Sequence, residues 1–281
     1  MNAALDEVRV DRAEQLPAEA RTALRDLILA LADSKRVLGL RYSDRMLGAP
    51  TLEAGIAASS MAQDEWGHGR LTYALLSDFG DDPKGDLEHA RPAAEYRSAD
   101  VLDRAFESWS AMIAAGLVLD TAFTAQYGAL VDSRYTPVHN RVQKMLDEEK
   151  IHFQYFAAWA RRMCAIEEVR SGLAEAVRHY LPAALRWLGQ EAASQLLASE
   201  GLVRQGPDAL RAQVLQRVGP VLADCGIAAD CDVPLEDGMW RFSGTLDWSG
   251  WDDATRRSGG SLDEETAARA RGDRNRALLL D

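Results

Sequence analysis

Through most of the first 226 residues apolar side chains recur roughly every three to four positions, and runs of β-branched residues are scarce. That is the periodicity of helices with one buried face. Leu24, Leu27, Ile28, Leu31, Leu38 and Tyr42 share a stripe that predicts a helix over about 18–46, closed by Gly48-Ala49-Pro50. A second helix, about 51–79, carries Met61, Glu65, His68 and Leu75 on one face and stops at Gly80-Asp81-Asp82-Pro83. Residues 81–98, with Pro83, Gly85 and Pro92, read as a loop. Asp100 is positioned to cap a third helix, about 101–131, whose stripe runs Ile113, Gly116, Leu117, Asp120, Thr124 and Tyr127. Thr136-Pro137 opens a fourth, about 137–163, with Val142, Met145, Glu149, His152 and Phe156 aligned. Further helices fill 166–204 and 207–226.

After Gly226 the periodicity fades. Residues 233–252 hold Trp240, Phe242, Trp248 and Trp251 among Gly, Pro and Asp, which predicts an irregular strap with its tryptophans on the helices. Residues 255–281 are charged and read as a fraying or loosely helical tail. The expectation is an all-α chain forming one domain over 1–281. Its core bundle spans about 18–163, its C-terminal helices about 166–226 and its extension about 227–281.

The formal charge of −12 argues against non-specific binding to nucleic acid or to an anionic membrane. No apolar run is long enough to span a bilayer. Met1-Asn2-Ala3-Ala4-Leu5-Asp6-Glu7 lacks the layout of a secretory signal. Cys164, Cys225 and Cys231 form no CxxC pair. A cytoplasmic protein is expected.

Two histidines follow a glutamate by three residues on predicted helices: Glu65-Trp66-Gly67-His68 and Glu149-Lys150-Ile151-His152. Residues three apart share a helix face, so each pair can offer a carboxylate and an imidazole to one point. Two such pairs plus a carboxylate from each of two other helices make the di-iron site of ferritin-like bundles, which sharpens the fold expectation to that class. Carboxylates bridge and balance ferrous ions, imidazoles strengthen binding, and open positions admit O2. Asp120, at the end of the run Ala114-Ala115-Gly116-Leu117-Val118-Leu119, is the natural third carboxylate. Glu107 and Asp132 lie nearer the helix ends and read as solvated.

The first helix breaks the pattern, because the residue centred on its apolar face is Lys35, while Asp26, Asp33 and Asp44 lie off the stripe. Four carboxylates would match two ferrous ions; here three carboxylates meet an ammonium. Three states stay open: an ion-pair network without metal, one metal, or two metals with Lys35 neutral or turned aside.

The strings Ala49-Pro50-Thr51-Leu52, Ala62-Gln63-Asp64-Glu65-Trp66-Gly67-His68-Gly69 and Asp147-Glu148-Glu149-Lys150-Ile151-His152 resemble the phenylacetic acid catabolic family. Its members include the catalytic and accessory subunits of phenylacetyl-CoA epoxidase. The likeness extends with gaps over roughly residues 20–250. The second string and the tail Trp240-Arg241-Phe242 to Asp247-Trp248 are similar to the catalytic subunit; Ala32-Asp33-Ser34 and Val37-Leu38-Gly39 are closer to the accessory one. The catalytic subunit carries a glutamate where this chain aligns Lys35. The resemblance implies iron ligands at Glu65, His68, Asp120, Glu149 and His152, and an acyl-CoA thioester as substrate.

The function expected is a non-haem iron oxygenase that hydroxylates or epoxidises a small organic or acyl-CoA substrate with O2. It would hold two irons, or one if Lys35 displaces the second. Lys35 and Tyr42 are candidates for a catalytic role, and Met61, Phe123, Tyr127, Phe153 and Phe156 for the substrate pocket. Arg36, Arg41, Arg45 and Arg70 are candidate phosphate contacts. No nucleotide fingerprint or iron–sulfur cysteine set is present, so electrons would come from an external reductase. Association as a homodimer or with a paralogous bundle subunit is expected. The alternative is a non-catalytic scaffold subunit in which Lys35 bridges Glu65, Asp120 and Glu149.

Overall fold

The computed structural model describes residues 9–80 and 86–273. In chain order the helices are α1 (Ala18–Arg45), α2 (Leu52–Leu76), α3 (Asp86–His89), α4 (Trp109–Ala115), α5 (Thr121–Leu130), α6 (Thr136–Cys164), α7 (Glu167–Trp187), α8 (Glu191–Ser199), α9 (Pro207–Asp224) and α10 (Glu264–Arg271). The only sheet among the described residues is a two-residue hairpin, β1 (Leu235–Glu236) with β2 (Met239–Trp240). The protein is an all-α bundle. Its core packs α1, α2, the α4–α5 stretch and α6 around the predicted apolar stripes, with Leu24, Leu31, Leu38, Ile113, Leu117, Val138 and Phe156 fully buried.

Helix α1 packs along α2, and Gly39 permits the approach: a Cβ there would lie 2.6 Å from the Trp66 indole. Thr51 caps α2, its hydroxyl accepting from the Ala54 amide at 3.2 Å, so the helix starts at Leu52 rather than 51 and ends in a 3₁₀ turn over Ser77–Phe79.

The third predicted helix begins eight residues later than expected. Asp100 is not its cap, because its carboxylate is drawn to Arg186 at 2.8 Å and the Ser258 amide at 3.2 Å. Ser108 takes that role for α4, accepting from the Ala111 amide at 3.1 Å. Between α4 and α5 the chain makes a π-helical turn, Gly116–Asp120. Phe156 of α6 packs directly against it, so close that a Cβ on Gly116 would sit 2.3 Å from the ring.

Residues 166–204 are two helices, α7 and α8, broken at Gly189 (φ +88). Part of the predicted loop is also helical. In α3, Glu88 is buried within 3.5 Å of Arg36.

The strap packs as expected. Trp240 covers Gly219 of α9, while Trp248 and Trp251 lie under the Arg211 and Arg186 guanidiniums at 5.5 and 5.6 Å. The tail does not fray over its described part. Helix α10 buries Thr266, Ala267 and Ala270 and is tied to α1 by Arg36, which donates to the Ala270 carbonyl at 2.8 Å, and by the Arg269–Asp44 pair at 2.5 Å. Residues 274–281 and the N-terminal heptapeptide lie outside the described residues. Among the described residues no helix is long and apolar enough to cross a membrane.

Candidate metal centre

Four elements converge on one polar point inside the bundle. Helix α1 delivers Lys35, α2 delivers Glu65 and His68, the π turn delivers Asp120, and α6 delivers Glu149 and His152. All six are at most 2 % exposed. The π turn matters because an extra backbone position per turn rotates the stripe, and such turns collect at functional sites.

Lys35 occupies the centre. Its Nζ lies 2.5 Å from Asp120 Oδ1, 2.5 Å from Glu149 Oε1 and 2.9 Å from Glu65 Oε2. Burial alone would pull this ammonium down, but Asp120, Glu149 and Glu65 together outweigh it and hold Lys35 well above the ordinary lysine range. In this metal-free arrangement Lys35 is therefore an ammonium.

The two histidines are oriented alike. His68 places Nε2 2.8 Å from Glu148 Oε2, and His152 places Nε2 3.1 Å from Asp64 Oδ2. A carboxylate only accepts, so Nε2–H donates in each case and Nδ1 turns inward. His68 Nδ1 lies 3.0 Å from Glu149 Oε1, and His152 Nδ1 lies 3.3 Å from Glu65 Oε1, 3.6 Å from Glu149 Oε2 and 3.7 Å from Asp120 Oδ2. Neither Nδ1 is aligned for a hydrogen bond, and Glu65 Oε2 is likewise unsatisfied in that sense.

Burial opposes the imidazolium, yet the carboxylates around each Nδ1 raise both histidines above the ordinary value. Glu149 falls well below its ordinary value: burial works against this, but Lys35, His152 and His68 prevail. Glu65 moves the other way, to about 7, because burial and Asp120 outweigh Lys35.

Glu65, Asp120, Glu149 and His152 each bring a ligand atom within 4.8 Å of the others, close enough to share a metal ion. Orphaned inward Nδ1 atoms, outer carboxylates on Nε2 and acidic oxygens are a donor set that suits a divalent transition metal.

A family model for phenylacetic acid catabolic proteins matches residues 1–240. The chain belongs to the phenylacetic acid catabolic protein family. No curated protein matches it.

In this family member the five predicted ligands come together around Lys35. Tyr42 is buried on the same stripe, 5.4 Å from the Phe156 ring, and its hydroxyl has no hydrogen-bond partner. Burial and Asp120 push that phenol well above its ordinary value. Among the predicted pocket residues, Phe123 lies 5.9 Å from Lys35 Nζ and edge-on to Trp187, and the Tyr127 hydroxyl meets Thr72 Oγ1 at 2.8 Å. Met61 is buried one turn before Glu65. Phe153 sits farther out, only half-buried under Arg217 at 4.1 Å.

Three of the four arginines proposed for phosphates are otherwise engaged. Arg41 donates to the Leu102 and Asp103 carbonyls, Arg45 to the Phe106 carbonyl, and Arg36 to α10, whereas Arg70 is exposed. Sequence reasoning missed the outer partners Asp64 and Glu148. Their signal was present, since each directly precedes a cluster glutamate.

Proposed function

We propose that this protein is an oxygenase-type subunit of aromatic-acid catabolism that oxidises a small organic or acyl-CoA substrate with O2, using iron held among Glu65, His68, Asp120, Glu149 and His152. The family assignment supports the pathway class. The observation that carries the metal is the histidine orientation: both Nε2 atoms are held by outer carboxylates and both Nδ1 atoms face the cluster unsatisfied. Iron bound there would supply the redox chemistry that activates O2. The chain's own contribution is a dry, charged cradle in which Lys35 balances the acids and Asp64 and Glu148 set the imidazole planes. Electrons come from an external reductase, and a paralogous bundle subunit or a second copy completes the assembly.

The test is anaerobic loading with ferrous iron, followed by O2 exposure with a reductase and phenylacetyl-CoA or a related thioester. Bound iron and substrate-dependent O2 uptake are expected. Iron that binds without such uptake on any thioester would remove the oxygenase assignment.

One observation favours a second reading. Lys35 pairs with all three carboxylates at once, so the cluster is compensated without metal, as in a scaffold subunit. A protein that takes up no iron, yet raises the activity of a paralogous catalytic subunit, would establish that role.

A further inference from the structure

Each cluster carboxylate has two oxygens, and the structure divides those of Asp120 and Glu149. Asp120 gives Oδ1 to Lys35 and turns Oδ2 toward His152; Glu149 gives Oε1 to Lys35 and turns Oε2 toward His152. Glu65 is shared: Oε2 lies 2.9 Å from Lys35 Nζ, but the ammonium donates to Oε1 at 3.2 Å, and Oε1 also lies 3.3 Å from His152 Nδ1. Asp120 and Glu149 therefore bridge two neighbouring cation positions, with Glu65 Oε1 between them. One is filled by the Lys35 ammonium. The other is bounded by Glu65 Oε1, Asp120 Oδ2, Glu149 Oε2 and His152 Nδ1.

The spacing on the two sides differs as their contents require. Oxygens crowd around Nζ, with Asp120 and Glu149 at 2.5 Å and the Glu65 acceptor at 3.2 Å, which is ammonium hydrogen-bond distance. On the other side the His152 nitrogen stands 3.3–3.7 Å from its three oxygens. The four donor atoms of that half lie within 4.8 Å of one another, close enough to share one ion.

Charge makes the same selection. Once a metal has displaced the protons on Glu65 and the imidazoles, Glu65, Asp120 and Glu149 supply three negative charges and Lys35 returns one positive, leaving two to be balanced by one divalent ion. A second divalent ion would leave buried positive charge without a partner. His68 belongs to the filled half, since its Nδ1 faces Glu149 Oε1, the oxygen that Lys35 already holds.

We infer that this chain carries a single-metal centre in which the Lys35 ammonium stands permanently where a second metal would sit, and one divalent cation is taken by Glu65, Asp120, Glu149 and His152, with His68 acting as a positioning residue for Glu149. This rests on the metal-binding part of the function proposed above and narrows it. The ligand is a bare divalent ion, with ferrous iron or its redox-inert substitute Mn2+ as the probe.

The full-length protein is titrated anaerobically with Mn2+ and, separately, ferrous iron. Bound metal is counted by elemental analysis and located by anomalous diffraction. About one ion per chain is expected in the wild type, against His152, with Lys35 still on the opposite carboxylate oxygens; about two are expected in Lys35→Glu, which restores the fourth carboxylate. Two ions in the wild type overturn the inference while leaving metal binding intact. So does one ion against Glu65 and His68 with Lys35 swung away. A folded Lys35→Glu protein that still binds about one ion would show that Lys35 does not fill the other half. If Lys35→Glu does not fold, the anomalous position in the wild type decides. No metal in the wild type removes the inference together with the metal reading beneath it.

Discussion

Two charged residues stand close together on α1, both wholly buried, and they face opposite ways. Asp33 looks outward at the 86–97 segment. Its carboxylate takes two bonds from the Arg91 fork, one from the Tyr73 hydroxyl and one from the Arg97 amide at 2.7 Å. Arg91 spends its remaining donors on the Leu87 and Glu95 carbonyls and lies 4.5 Å from the Tyr96 ring. This pair is closed, with one anion, one cation and their polar atoms occupied. Lys35 looks inward and meets three carboxylates, two histidines and a set of unsatisfied inward atoms. Burial of charge is common to both sites, so burial does not mark function. What separates them is surplus: the Asp33 side needs nothing more, whereas the Lys35 side has negative charge and ligand atoms left over.

The largest effect should come from breaking each side in turn. Asp33→Ala leaves Arg91 buried without its anion and should lower the unfolding free energy by about 3–5 kcal/mol. Urea melts measure it, and added Mn2+ should stabilise this variant and the wild type alike, leaving the gap between them unchanged. Lys35→Met should cost the metal-free protein about as much, because three carboxylates lose their cation. There Mn2+ should restore stability, since it binds the folded cluster and not the unfolded chain. Equal rescue of both variants, or of neither, would erase the contrast.

A smaller effect is expected at the outer shell. Asp64→Asn keeps the shape but weakens the grip on His152 Nε2, and should reduce Mn2+ affinity by about 10- to 100-fold. The urea midpoint of the metal-free protein should barely move, because Asp64 is well exposed. An unchanged affinity, read by calorimetric titration, would mean that the Asp64–His152 contact is ordinary surface pairing.

The smallest effect is a slope. In the metal-free protein Glu65 is raised from 4.5 to about 7, so the folded state holds a proton that the unfolded state has released. Its contribution to stability is complete below about 4.5 and is lost as pH rises toward about 7. Both histidines are raised as well and act in the same direction above 6.5. Metal-free protein should therefore lose stability as pH rises from 5 to 7.5. Metal-loaded protein should gain it, because the ion competes with those protons. Parallel slopes in chemical denaturation would sever the proton and metal equilibria.

Much of this could be read from residue order. The two Glu-x-x-His pairs, Asp120 and Lys35 stand out because helical periodicity places them on the apolar stripes, where a charged side chain needs a partner. The helix boundaries were less legible. Asp100 looks like a cap for α4, but Arg186 of α7 and the Ser258 amide claim its carboxylate, and both are far away in the chain. The π turn is equally hidden: no local spacing marks it, and the ring packed against its Gly116 comes from α6. Asp33 read as off the stripe. It is off the stripe that faces Lys35, yet buried, because a helix covered on two sides has two interior faces and only one of them belongs to the bundle core.

The class of the protein and the content of its centre were legible in the order of residues alone. Helical period and the types of residue on each stripe are local properties, and they dictate an all-α bundle with three acids, two imidazoles and one ammonium turned inward. How those groups divide among themselves is a matter of the folded packing. Which oxygen of Asp120 or Glu149 faces Lys35 and which faces His152 depends on rotamers and on the rotation of four helices about their axes. Those are set by long-range packing, from the Gly39–Trp66 approach to the Phe156 ring at Gly116, and no spacing along one helix encodes them.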